Sequence, residues 1–368
     1  MIPAFDYLRA YHRLRPELEE AMRRVIGSGA LILGPECEAF EEEFAAYVGA
    51  RSAVSVSSGT SALVIALRAL DIGKGDEVIT VSHTAVATVG AIREAGATPK
   101  LVDVDDRRLL IDTGQVEASI GPRTRAIVPV HLYGCPANAA RLAEIASRHH
   151  LAMIEDCAQA HGARIRGRHV GTFGTIGCFS FYPTKNLGAY GDGGLCVTDD
   201  PQLARRMRCL RFHGFDSRRV AQEEGINARL DELQAAILRV KLRHLDESLR
   251  ARREVAKQYL GSLQGTAVRL PVTDAESEHA WHLFVIRSPL RDPLIRGLQQ
   301  AGIGYGIHYP CPVHRMPAYQ GLGGGVGSLP VTEKAAHEVL SLPMFPELTR
   351  EEVQAVCQTI RDALEGAR

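Results

Sequence analysis

The chain has 368 residues, 45% of them hydrophobic and 23% charged. That is enough sequence for one large core, or for a large and a smaller one, in a globular rather than a disordered or fibrous composition. Its 43 basic and 43 acidic residues cancel, so global charge gives neither nucleic acid nor an acidic membrane surface a reason to bind.

The N-terminal stretch "MIPAFDYLRAYHRLRPELEE" soon turns charged and helical in pattern, and it lacks the apolar core of a signal peptide. "PECEAFEEEFAAYVGA" follows as an amphipathic helix ending on a glycine. "SAVSVSSGTSALVIALRALDIG" reads as a strand, a polar turn and a helix, and "DEVITVSHTAVATVGAIREAGA" repeats that order. "KLVDVD" is a further short strand. "TRAIVPVHLYG", "LAMIEDCAQAHGA" and "GCFSFYPTKN" supply three more, with the helical "AARLAEIASRHH" between the first two. Such alternation predicts an α/β fold with a mainly parallel central sheet flanked by helices, and ligands at the carboxyl ends of its strands. The polar clusters Ser57–Ser61, Ser82–Thr84, Asp156–His161 and Ser180–Gly194 each follow an apolar strand. A long charged helix, "ARLDELQAAILRVKLRHLDESLRARREVAKQYLGSLQ", then leads into a smaller C-terminal domain. The division is expected between residues 1–245 and 246–368. "GLGGGVG" (Gly321–Gly327) reads as a loop.

No apolar run is long enough to cross a bilayer. The eight cysteines form no CxxC pair, which predicts free thiols in a reducing cytoplasm and no structural metal.

Three clusters carry possible chemistry. In "FSFYPTKNLGAYGDGG", Lys185 stands between an aromatic run and several glycines. It is either the cation of a surface turn or an amine nucleophile activated by partial desolvation. "SSGTSAL" could present backbone N–H groups, hydroxyls and a helix dipole to a phosphate, or could be an ordinary helix start capped by Ser58 or Thr60. It is neither a Walker loop nor a GxGxxG fingerprint. "MIEDCAQAHGA" ends an apolar strand with Glu155 and Asp156, which alternate to opposite faces. Asp156 is either a helix cap or the partner of a protonated ring nitrogen, and Gln159 and His161 could reach the same pocket. Together a phosphate-binding turn, an acid at a strand end and a lysine beside glycines fit the three attachment points of pyridoxal 5'-phosphate.

"SSGTSALVIAL", "EDCAQAHGA", "FSFYPTKNLGAYGDGG", "EEGINARLDELQAAIL", "AWHLFVIR" and "IHYPCPVH" resemble the motifs of the DegT/DnrJ/EryC1/StrS aminotransferases over nearly the whole chain. These are fold-type I pyridoxal-phosphate enzymes that aminate nucleotide-linked keto-sugars and, in one branch, keto-cyclitols. The resemblance implies that Lys185 carries the cofactor as an imine and serves as acid and base, while Asp156 pairs with the pyridinium nitrogen. It places Gln159 near the ring hydroxyl, and Ser58, Gly59, Thr60 and Ser180 at the phosphate. Asn227 would reach the cofactor phosphate of a neighbouring subunit, which implies a homodimer with shared sites. His308, Tyr309 and His314 would stand near substrate. Family members often place an aromatic residue where this chain has Ala85, so His83 either covers the ring or is a turn residue. "RFHGFDSRR" offers Arg211, His213, Arg218 and Arg219 to a nucleotide diphosphate, and Arg229 is a further candidate, although an exposed basic loop is the commoner explanation of such a run.

The activity implied is transfer of an amino group from an amino acid, L-glutamate by resemblance, to a nucleotide-diphospho-keto-deoxysugar. "SHTAVATVGAIREAGA" looks most like the branch acting at C3, with C4 amination and a keto-cyclitol as alternatives. Lys185 argues against the related dehydratases, which carry histidine there, and against a non-catalytic regulatory homologue. A nicotinamide oxidoreductase would need a glycine fingerprint that is missing from the first strand–helix turn.

Overall fold

The computed structural model describes residues 1–367. Seven strands form the central sheet: β1 (Ser52–Val56), β2 (Glu77–Val81), β3 (Thr98–Val102), β4 (Thr124–Ile127), β5 (Ala152–Asp156), β6 (Ile176–Ser180) and β7 (Gly194–Thr198). Their order is β1-β7-β6-β5-β4-β2-β3. Only β7 runs antiparallel to its neighbours, and the other pairings are parallel. The mainly parallel sheet read from the sequence is therefore the sheet observed.

Alternation along each strand feeds two apolar layers. Val54, Val56, Ile154, Cys178 and Cys196 point into one layer, beneath the helix α3 (Gly59–Ala69). Ala53, Phe179, Leu195 and Val197 point into the other, against Phe40 and Phe44 of α2 (Pro35–Val48). Phe44 meets Phe179 and Phe181 edge-on, with ring centroids 5.0 and 5.6 Å apart, the arrangement favoured by the aromatic quadrupole.

The single long helix expected after Asn227 is two helices, α5 (Glu232–Arg243) and α6 (Leu245–Leu263), joined at His244. At this joint His244 Nε2 lies 3.0 Å from Glu17. A separate core containing Val255, Tyr259, Phe284, Ile286, Leu340, Val356 and Ile360 lies C-terminal to this joint. There β8 (Phe284–Arg287) and β9 (Val339–Leu342) pair antiparallel. The N-terminal segment crosses over to it, because Ile2 bridges Ile303 and both Ile2 and Phe5 pack on that core.

One buried carboxylate fixes the start of α2. Gly34 provides no side chain to cap that helix. Glu232, only 1% exposed, accepts instead from the N–H groups of Gly34, Glu36 and Cys37, each at 2.8 Å. A carboxylate at a helix N-terminus satisfies both the orphan donors and the dipole. Replacing Glu232 by Ala leaves three N–H groups without it, and we expect a loss of about 2–4 kcal/mol in chemical denaturation. The exposed Glu38→Ala control should stay within about 0.5 kcal/mol of the parent.

Candidate active site

The polar clusters that follow the apolar strands lie at the carboxyl edge of the sheet. Val56 and Ser180 both pair with Gly194, so the turn after β1 and the end of β6 flank the first residue of β7. A Cβ on Gly194 would lie 2.2 Å from the Ser58 carbonyl oxygen, and one on Gly59 would lie 2.6 Å from Ser180 Cβ. Only glycine permits either approach. Ser58 caps α3 by accepting from Ser61 N–H at 3.0 Å, so the capping reading holds for that residue. The N–H groups of Gly59 and Thr60 have no partner among the described residues. Two free donors at a helix N-terminus, with the hydroxyls of Thr60 and Ser180 alongside, form an anion cradle of the kind a phosphate takes.

Asp156 ends β5 and is 5% exposed. Thr88 donates to its Oδ2 at 2.8 Å, and Ala158 N–H donates to Oδ1 at 3.1 Å. Burial pushes its carboxyl up, opposed by those two donors and by Lys185 and His131. Glu155 points to the other face, where it accepts from His131 and from the Gly171 and Gly174 N–H groups. These bonds tie the loop after β5 to the sheet.

Lys185 is half-buried. Burial pulls its amine down to about 8, with Asp156 acting in the opposite direction. Its loop is clamped from both sides. Asn186 donates to the Ala280 carbonyl at 2.8 Å, Gln234 accepts from Tyr190 N–H at 2.8 Å, and Lys241 donates to the Gly188 carbonyl.

His83 is buried, and burial pushes it down to about 4. Its Nε2 meets the Tyr133 hydroxyl at 2.8 Å, and that hydroxyl donates to the His308 carbonyl. Because the one phenolic proton goes to His308, Nε2 carries the imidazole proton and Nδ1 is left as a bare acceptor. Gln159 accepts from Tyr133 N–H at 2.7 Å and donates to the Tyr309 hydroxyl at 3.1 Å, which draws Tyr309 to the sheet edge. His308 Nδ1 pairs with Ser341 at 2.8 Å. His314 has both ring nitrogens engaged, with Ser82 at 2.7 Å and Glu333 at 3.2 Å.

Asn227 is exposed beside Ser57, Asp192 and Arg229 in a surface recess. Arg229 lies over the Phe212 ring at 5.2 Å. Arg211 is used inside the fold, where it bonds Glu41 and the Ser55 carbonyl and hydroxyl. Arg218 pairs with Asp216.

Sequence reasoning missed Thr88 and Tyr133. The Thr84–Thr88 spacing, one helical turn apart in "SHTAVAT", was the available signal for the first. Tyr133 follows a strand end in "HLYG" with φ of 61°, and nothing in its spacing marks it.

The DegT/DnrJ/EryC1/StrS aminotransferase family model matches residues 12–361. "Erythromycin biosynthesis sensory transduction protein EryC1" of Saccharopolyspora erythraea is 51% identical, over 98% of this chain and 99% of that protein. "dTDP-3-amino-3,4,6-trideoxy-alpha-D-glucose transaminase" of Streptomyces venezuelae is 48% identical, over 98% and 96%. The crystal structure of S. venezuelae DesV in complex with a ketimine intermediate superposes with a TM-score of 0.97 at 48% identity, covering 99% of this chain and 98% of that one. Fold and site together define a pyridoxal-phosphate-dependent aminotransferase. The chain belongs to the DegT/DnrJ/EryC1/StrS family.

The residues present fit the cofactor, with an anion cradle, a buried carboxylate and a desolvated amine on one sheet edge. The amine gives a test that needs no substrate. In competitive acetylation of the apoprotein across a pH series, Lys185 should show a midpoint near 8, and so should Lys241, which burial also pulls down to about 8. Ordinary lysines titrate near about 10.4. The sign for stability follows: with folded values below the unfolded one, these groups add stability as pH rises from about 8 toward about 10.4. A Lys185 midpoint near the ordinary value would contradict the burial argument.

Proposed function

We propose that this chain transfers an amino group from L-glutamate to C3 of a nucleotide-diphospho-keto-deoxysugar, with Lys185 and Asp156 as catalytic residues. The observation that carries the reading is the burial of a carboxylate and a desolvated amine on the same sheet edge as a helix N-terminus with two free N–H groups. Pyridoxal phosphate, when bound, supplies the electron sink and the amino-group carrier. Gly59, Thr60 and Ser180 hold its phosphate, and Asp156 holds the proton on its ring nitrogen. Lys185 is the nucleophile, and once its amine is free it takes the substrate proton and returns it. Its lowered pKa suits this work near neutral pH, where a neutral fraction is available. The C3 position follows the substrate in the name of the S. venezuelae relative.

The exposed Asn227 supports a homodimer in which it reaches the partner's cofactor phosphate. Exposed Leu31 and Ile32, near Asp231, and Val86 and Tyr182, which follow β2 and β6, are apolar surface suited to that contact. Arg229, with no carboxylate partner among the described residues, is assigned to the nucleotide diphosphate. His308 and Tyr309 are assigned to the sugar. His314 acts one step back, as an anchor of its turn to Ser82. Eight free cysteines suit a reducing cytoplasm. A regulatory role would match the name of the S. erythraea relative, but regulation alone would not require a desolvated lysine beside a buried aspartate.

The purified holoprotein should show the visible band of lysine-bound cofactor, and excess L-glutamate alone should convert it to the pyridoxamine form. A nucleotide-linked 3-keto-sugar should restore the band faster than the 4-keto isomer or a keto-cyclitol. Lys185→Ala should lose activity by about 10³-fold or more while the phosphate cradle still retains cofactor. Restoration by the 4-keto-sugar alone would move the assignment to C4. Absence of any cofactor band after reconstitution would remove the enzyme reading.

A further inference from the structure

Asp156 is approached by a short chain of hydroxyls that the aminotransferase reaction does not by itself explain. Thr88, on the first turn of α4 (Val86–Glu94), reaches Asp156 Oδ2 from the helix that follows β2, passing over the end of β4. Thr84 Oγ1 lies 2.9 Å from Thr88 Oγ1. Both threonines are buried, at 2% and 1% exposure. The direction of the chain is fixed by proton counting. An ionised carboxylate only accepts, so the one hydroxyl proton of Thr88 is committed to Asp156, and Thr84 must donate to Thr88. The second oxygen of Asp156 is held by the Ala158 N–H. Each oxygen therefore has one fixed donor, which pins the rotation of the carboxylate and leaves one lone pair on each for another partner.

We propose that Thr84 and Thr88 are positioning residues that keep Asp156 ionised and oriented toward the cofactor's pyridine nitrogen, and so set how far that nitrogen is protonated. The inference rests on the reading of Asp156 as the ring-nitrogen partner. The physical need is clear from what surrounds the carboxylate. Burial disfavours its charged form, and Lys185 and His131 are the charged or titratable groups that act against this. Lys185 gives up its charge when it acts as a nucleophile, so its help is intermittent. A hydroxyl donor is constant. Without Thr88 the carboxylate becomes more basic and draws the shared proton away from the ring nitrogen, which weakens the electron sink.

The test is to reconstitute the protein with pyridoxal phosphate labelled with ¹⁵N at the ring and to read the ¹⁵N chemical shift together with cofactor affinity. Thr88→Val should move the resonance toward the unprotonated position and weaken cofactor binding about tenfold, the scale of one hydrogen bond to a charged group. Thr88→Ser should restore both, and Thr84→Val should give a smaller shift in the same direction. If Thr88→Val does not fold, Thr84→Val carries the test with the same readout. Asp156→Asn separates the two levels. If Asp156→Asn moves the resonance while the folded threonine variants leave it at the parent position, the relay is overturned and the reading of Asp156 stands. If Asp156→Asn also leaves it unmoved, the reading of Asp156 is overturned and the relay with it.

Discussion

The site depends on keeping a carboxylate and an amine close without letting them pair. Asp156 and Lys185 each shift the other's titration, yet they make no direct salt bridge among the described residues. A tight ion pair would hold the amine protonated and useless as a nucleophile. Here Thr88 and Ala158 each hold one oxygen of Asp156 in place, and clamps on the backbone around Lys185 fix where the amine can go. The lysine loop is held by α5 on one side and by the Ala280 carbonyl on the other, so the position of the amine is set by segments distant in sequence rather than by one flexible turn.

The imidazoles around the site support the same separation of charge. Burial pushes His83 to about 4 and His161 to about 3, and it also lowers His282 and His308. Neutral rings offer Asp156 no cation, and they add no positive charge next to the amine. His83 serves instead as a donor to Tyr133, which in turn holds the His308 backbone and, through Gln159, the Tyr309 hydroxyl. One buried tyrosine thus links the ends of β2 and β5 to the segment that carries His308 and Tyr309.

Much of this was legible in the sequence, because it follows from local rules. Strand alternation separates Glu155 from Asp156, and the structure gives them different partners on opposite faces. The hydroxyl-rich turn before α3 and the lysine after an apolar strand stand where a parallel sheet places ligands. What stayed hidden depends on contacts between distant segments. Arg211 looked available for a phosphate until the fold put Glu41, 170 residues away, against it. His314 looked like a substrate residue until Ser82 and Glu333 took both its nitrogens. The break at His244 and its contact with Glu17 on another helix are likewise not reported by any periodicity within the long charged segment.

The glycines of "GAYGDGG" show how a covalent detail decides the geometry of the cradle. β1 and β6 are not neighbours, since β7 lies between them, and two strand spacings put them about 10 Å apart. The Ser58–Gly59 turn nonetheless closes on Ser180. It does so by crossing over the start of β7 at Gly194, where any side chain would strike the Ser58 carbonyl, and by meeting Ser180 at Gly59, where a Cβ would strike its Cβ. The antiparallel strand is therefore more than a topological irregularity. It places a residue without a side chain at the sheet edge, and this lets a helix N-terminus from one strand and a hydroxyl from a non-adjacent strand come together.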